Sequence, residues 1–150
     1  MRIIRLWHYE LIPYLDKQRL VAQWRECCCI AKNIATDGTP NHLLVNKVLN
    51  YSTIHFIYYT NLILQEMQKR GYKVNEKSYI SFCNHMTIGT PWFSHCNDCI
   101  TSEKDLFLNW HNDEYLKICL FNLYEKYLCG GIPEDEWKII QDKFGVYLYE

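Results

Sequence analysis

The chain reads as an all-α protein, a single compact helical domain, and three observations carry that reading. Apolar residues recur at three-to-four spacing in successive stretches, and these stretches begin and end on residues that cap helices. The length of 150 residues suits one domain whose hydrophobic core needs no disulfide staples. A hydrophobic fraction of 49% with 22% charged residues is that of a globular chain, and no Pro/Ser/Gly-rich stretch or block of like charge marks a linker. Residues 1–150 are therefore expected to form one domain.

After a turn at Pro13, Asp16 is placed to cap a helix in which Leu20, Val21, Trp24, Cys27, Cys28 and Ala31 form an apolar stripe to about residue 32. Arg25 and Glu26 lie off the centre of that stripe, leaving a guanidinium and a carboxylate at its border. Residues 36–41, Thr-Asp-Gly-Thr-Pro-Asn, are a loop by composition, and His42 to Leu49 is a short helix or an extended piece. A long helix then starts with Ser52 as N-cap, carries Ile54, Ile57, Tyr58, Asn61, Leu62 and Met67 along one side, and stops at Lys69-Arg70 before Gly71. Between about residues 73 and 105 the periodicity fails while Gly, Pro, Asn, Cys and His accumulate, which predicts an irregular insertion. Another helix is capped by Asn112 or Asp113, runs through Leu116, Cys119, Leu120, Leu123 and Tyr127, and stops at Gly130-Gly131. Pro133 opens a last helix with Glu134, Asp135 and Glu136 in its first turn, reaching about Lys143. The aromatic tail from Phe144 is expected to be non-helical.

No apolar run approaches the roughly 20 residues that cross a bilayer, and Arg2, Arg5, His8 and Glu10 interrupt the start where a signal peptide would continue. No membrane partner is expected, and a cytoplasmic location is the default. Three of the eight cysteines are consecutive (Cys27, Cys28, Cys29), and the set reads as reduced thiols. The net charge of −1 is not the strongly basic balance of a general DNA binder. Phosphate contacts depend on local clustering, however, and residues 1–32 carry Arg2, Arg5, Lys17, Arg19, Arg25 and Lys32 against Glu10, Asp16 and Glu26.

Within the irregular stretch, Cys83, His85, Cys96 and Cys99 offer thiolates and an imidazole that could close a tetrahedral structural zinc site, and zinc binding would supply the folding energy that such a segment lacks. Ordinary reduced cysteines are the competing reading, and no other cofactor is implied. Trp7, Trp24, His42 and His55 read as core or rim residues. The C-terminal Trp137, Phe144, Tyr147 and Tyr149 could stack on unpaired bases or dock on the core.

One block is more specific. Arg5-Leu6-Trp7-His8-Tyr9-Glu10-Leu11-Ile12-Pro13-Tyr14-Leu15, followed by Gln18-Arg19-Leu20 and Arg25-Glu26-Cys27-Cys28, resembles the N-terminal signature of cellular members of the pyrimidine-dimer DNA glycosylase (endonuclease V-like) family. His42 through Asn46, the run Glu66-Met67-Gln68-Lys69-Arg70-Gly71-Tyr72, and His111-Asn-Asp-Glu-Tyr-Leu with Asn122-Leu123 and Glu125-Lys126 are similar to later family stretches.

The resemblance implies a compact all-helical fold acting on double-stranded damaged DNA as a monomer. An N-terminal α-amine would attack the sugar C1′ of a damaged nucleotide, and the resulting imine permits β-elimination. An α-amine, with an ordinary pKa of about 7.7–8.0, keeps a neutral fraction near physiological pH and suits that chemistry. The glutamate matching Glu26 would stabilise the cationic sugar as the base leaves, and Arg25 would grip a flanking phosphate and keep that carboxylate ionised. Arg2, Arg5, His8, Arg19 and Lys32 are the further DNA contacts expected, although His8 also reads as a core or rim residue. Arg5 lies three residues further from the start than the signature arginine of the short cellular relatives. The attacking amine is then that of Met1 on a three-residue extension, or the natural chain starts elsewhere. The alternative to a glycosylase with abasic-site lyase activity is a non-catalytic nucleic-acid or protein-binding member of the same fold.

Overall fold

A computed structural model describes residues 5–89, 100 and 102–148. Among them are five α-helices, short 3₁₀ turns and no strand. An extended segment at residues 5–8 leads into a 3₁₀ turn, Tyr9–Tyr14, where His8 Nδ1 accepts from the Glu10 N–H and Leu11 and Ile12 are buried.

Helix α1 spans Lys17–Asp37. Asp16 holds the N-cap position without capping; its Oδ2 accepts from Arg19 at 3.0 Å. The helix runs beyond residue 32 because Ile34 extends the buried stripe, and it stops where Gly38 takes φ +77° and returns its N–H to the Ile34 carbonyl. The loop predicted at 36–41 is thus shortened at its front.

A 3₁₀ turn, Asn46–Asn50, buries Val48 and leads to α2, Thr53–Lys69, where the Ser52 hydroxyl accepts from the Ile54 N–H. Helix α2 closes as expected at Gly71 (φ +80°), with the Tyr72 N–H on the Met67 carbonyl at 2.8 Å. Its buried face shares Met67 with the predicted side, along which Ile57, Tyr58 and Leu62 are half-buried, but is centred elsewhere. Phe56, Tyr59, Thr60, Ile63 and Met67 point inward, whereas Ile54 and Asn61 are exposed. The helix is apolar nearly all round, so periodicity alone does not select a side.

The stretch expected to be irregular contains a helix, α3, Glu76–Gly89. Asn75 Oδ1 accepts from the Ser78 N–H at its start, and buried Phe82 and Met86, four apart, form its inner face. The Phe82 ring lies 5.6 Å from Trp24 and 5.9 Å from Phe56, and the α1–α3 pairing is the most extensive in the fold.

A Ser102–Asp105 capping box and buried Leu106, Phe107, Trp110 and His111 precede α4, Asp113–Leu128, which Asn112 caps through the Tyr115 N–H. Helix α5 spans Glu134–Leu148, past the predicted end at Lys143. Trp137, Ile140 and Phe144 make a buried stripe, and Phe144 meets the Tyr14 ring edge-on at 5.2 Å. Trp137 and Phe144 are therefore docked on the core, and Tyr149 lies outside the described residues. Cys27, Cys28, Cys29, Cys83, Cys119 and Cys129 are free thiols; burial pushes Cys28 up to about 11.

Candidate active site

Helix α1 presents a polar residue inside its apolar stripe. Gln23 is 1% exposed, between buried Leu20 and Cys27. Its amide is fully engaged. Oε1 accepts from the Trp7 N–H at 2.8 Å and from the Tyr59 hydroxyl at 3.0 Å, while Nε2 donates to the Arg5 carbonyl at 2.9 Å and to Glu26 Oε2 at 3.2 Å. The surroundings dictate the amide orientation, because the Trp7 N–H can only donate and the Arg5 carbonyl and Glu26 carboxylate can only accept. The Tyr59 hydroxyl shares its one proton between Gln23 Oε1 and the Trp7 carbonyl, 2.6 Å away, and the Tyr115 hydroxyl donates to the Leu6 carbonyl at 2.6 Å. Side chains of α1, α2 and α4 thereby fix the backbone of residues 5–7 beside Glu26.

Half-buried Glu26 lines a cleft of about 300 Å³ together with Arg5, Arg19, Gln23, Asn122, Glu125 and Lys126. Three cationic side chains thus share the cleft with two carboxylates. Arg5 reaches Asn122 Oδ1 at 3.4 Å and lies 5.3 Å over the Trp7 ring. Arg19 is held by Asp16 Oδ2 and by the Gly131 carbonyl at 2.8 Å. Such a cleft can seat an anionic sugar-phosphate while placing a carboxylate against positive charge that develops on the sugar.

The cleft gathers Glu26, Arg5 and Arg19 from the residues expected at the site. Arg25 is exposed and off its wall, and Lys32 is exposed about two turns further along α1. Met1 and Arg2 lie outside the described residues. His8 is corrected. It is 2% exposed, stacks on His111 at 5.1 Å, and burial lowers it to about 4, so it is a neutral part of the aromatic core and not a surface contact. His111, also buried, is likewise driven well below its ordinary range by burial. Of the suggested metal ligands, exposed Cys83 and half-buried His85 sit two apart on α3, about 200° around the helix. They border different hollows, Cys83 beside Asn61 and His85 beside Lys32. Cys96 and Cys99 lie outside the described residues.

Gln23, Tyr59, Asn122 and Lys126 join the site beyond the residues that the sequence predicts there. A glutamine interrupting the stripe Leu20–Trp24–Cys27 is a signal for the first, and Asn122 and Lys126 fall in a stretch already noted as family-like. Tyr59 had no local signal, since its role exists only across 36 residues of chain.

No helix among the described residues is long and apolar enough to cross a membrane. No curated protein and no solved structure matches the chain. The family model for pyrimidine dimer DNA glycosylase matches residues 1–80, the part that contributes Arg5, Gln23, Glu26 and Tyr59. The match spans more than half of the chain and agrees with the all-helical fold, and the chain belongs to the pyrimidine dimer DNA glycosylase family.

Proposed function

We propose that the protein is a DNA glycosylase with abasic-site lyase activity, acting on pyrimidine dimers or related damaged bases in duplex DNA through an imine formed by its N-terminal amine. Family membership implies DNA as substrate and base excision as the reaction class. The observation that carries the finer reading is the single amide of Gln23, which bonds both the Arg5–Trp7 backbone and the Glu26 carboxylate, so that the N-terminal segment and the carboxylate share one cationic cleft.

In this reading the neutral amine of Met1 attacks C1′ and the damaged base departs with its bonding electrons. Glu26 stabilises the positive charge that develops on the sugar. Ring opening gives the imine, loss of a C2′ proton breaks the C3′–O bond, and the 3′ phosphate leaves; water then hydrolyses the imine and returns the amine. Glu26 is the group placed to carry the C2′ proton. Arg5, Arg19 and Lys126 hold the flanking phosphates, and Arg25 lies at the exposed border where the strand would pass. Drawing a nucleotide out of the duplex costs a few kcal/mol, least where the stack is already damaged, which favours lesions over intact DNA.

The test is borohydride trapping on a duplex with one abasic site, together with intact mass of the preparation to define its first residue. The expected result is a covalent adduct mapped to the α-amine and weakened in Glu26→Gln. The absence of an adduct from protein with a verified N-terminus would overturn the lyase reading.

A further inference from the structure

We propose that the groove between α1 and α3 is a second seat for the DNA backbone, holding the sugar-phosphate run that flanks the nucleotide in the Glu26 cleft. The inference rests on the DNA-cleaving reading above and extends it to a surface that includes α3. The groove, about 300 Å³, is walled by Cys28, Cys29 and Lys32 from α1 and by Lys77, Ser78, Ser81 and His85 from α3, with buried Phe82 contributing to its floor. No carboxylate lies on that wall among the described residues, although the whole chain carries a net charge of −1. Two other hollows do carry carboxylates: one bordering α2 has Glu76, and another has Glu66 and Glu103 with Lys69. Two ammonium groups and two hydroxyls supply what phosphodiester oxygens accept, while lysine stems and the Phe82 ring suit the apolar face of a deoxyribose.

The groove also lies further along the helix that supplies Glu26 to the active-site cleft. Lys32 follows Glu26 by six residues, about 9 Å along the axis and about 120° around it. Exposed Arg25 lies between them in angle and about 10.5 Å along the axis from Lys32, so a cation stands at either end of the α1 face that leads from the cleft past Cys28 and Cys29 to the groove. The axial distance from Glu26 to Lys32 is roughly two to three nucleotide steps of about 3.4 Å. A strand that enters the cleft with its damaged nucleotide therefore brings flanking phosphates to Lys32 and Lys77.

The experiment is salt-dependent binding of the full chain to a duplex containing a tetrahydrofuran abasic analogue, followed by fluorescence anisotropy. Wild type is compared with Lys32→Ala/Lys77→Ala and with Lys138→Ala/Lys143→Ala, which removes two exposed charges from α5. Each phosphate contact contributes about 0.9 to the slope of log K against log salt, so the groove variant should lose about 2 from that slope while the α5 variant keeps it. An unchanged slope, or an equal drop in the α5 variant, would overturn the groove while leaving the active-site reading intact. Failure of wild type to bind the duplex would overturn both.

Discussion

Replacing Gln23 with leucine isolates the feature on which the site depends. Leucine has a similar volume and creates little cavity, so the cost falls on hydrogen bonds. The Trp7 N–H loses its acceptor in a buried position, which costs about 1–3 kcal/mol, and the bond to the Arg5 carbonyl contributes about 1 kcal/mol more. Tyr59 keeps the Trp7 carbonyl as partner and adds little. The variant should be destabilised by about 3 kcal/mol, measured by urea unfolding with an unchanged m-value. Such a loss leaves a domain of ordinary stability folded. Borohydride trapping at a temperature where the variant remains folded should slow by about 100-fold, because releasing residues 5–7 lets the reacting groups drift by the order of 1 Å. Gln23→Glu sharpens the test. It keeps the acceptor for Trp7 but sets a carboxylate oxygen against the Arg5 carbonyl and Glu26, where Nε2 stood at 2.9 and 3.2 Å. Its new carboxyl is pushed up by burial and those neighbours, so the variant should regain stability relative to wild type as the pH falls through that raised pKa, when the group protonates and donates again. A loss below 1 kcal/mol for Gln23→Leu with an unchanged trapping rate would refute the argument.

Other consequences follow from particular contacts. Glu26→Gln should reduce single-turnover excision by about 10²–10³, with little change in affinity for an abasic-analogue duplex. Stability should fall on acidification. His8 is held neutral by burial with its pKa lowered from 6.5 to about 4, so its contribution is complete above pH 6.5 and is lost as the pH falls toward 4. For His8 alone the loss is about 2 kcal/mol between pH 8 and pH 5, and urea unfolding at the two values should show it in wild type and a smaller difference in His8→Leu. Gly131→Ala would place a Cβ 3.1 Å from the Arg19 guanidinium and 3.2 Å from the Lys126 carbonyl, so it should shift Arg19 and weaken binding to abasic DNA. Gly130→Ala, at φ +83° with open space around it, should instead cost about 1–2 kcal/mol of stability and leave binding unchanged, as anisotropy and urea titration together would report.

The features legible along the chain are mostly local. Helix starts at Ser52 and Asn112 and stops at Gly71 and Gly130 were legible because a cap or a left-handed glycine acts within a few residues. The family signature and Arg5, Arg19 and Glu26 were legible for the same reason, as a linear pattern. Errors arose where the deciding partner was distant. Helix α3 was hidden in a stretch rich in Cys and His, since Phe82 and Met86 gain meaning only against Trp24 and Phe56. The inward side of α2 and the continuation of α5 past Lys143 were likewise chosen by packing, through Tyr59 and through Phe144 on Tyr14. His8 illustrates the same limit, because exposed and buried histidines look alike until His111, 103 positions later, is stacked upon it. Only the tertiary structure brings Trp7, Gln23, Glu26 and Tyr59 together, since a buried amide must satisfy all its hydrogen bonds at once and their partners lie on three separate segments.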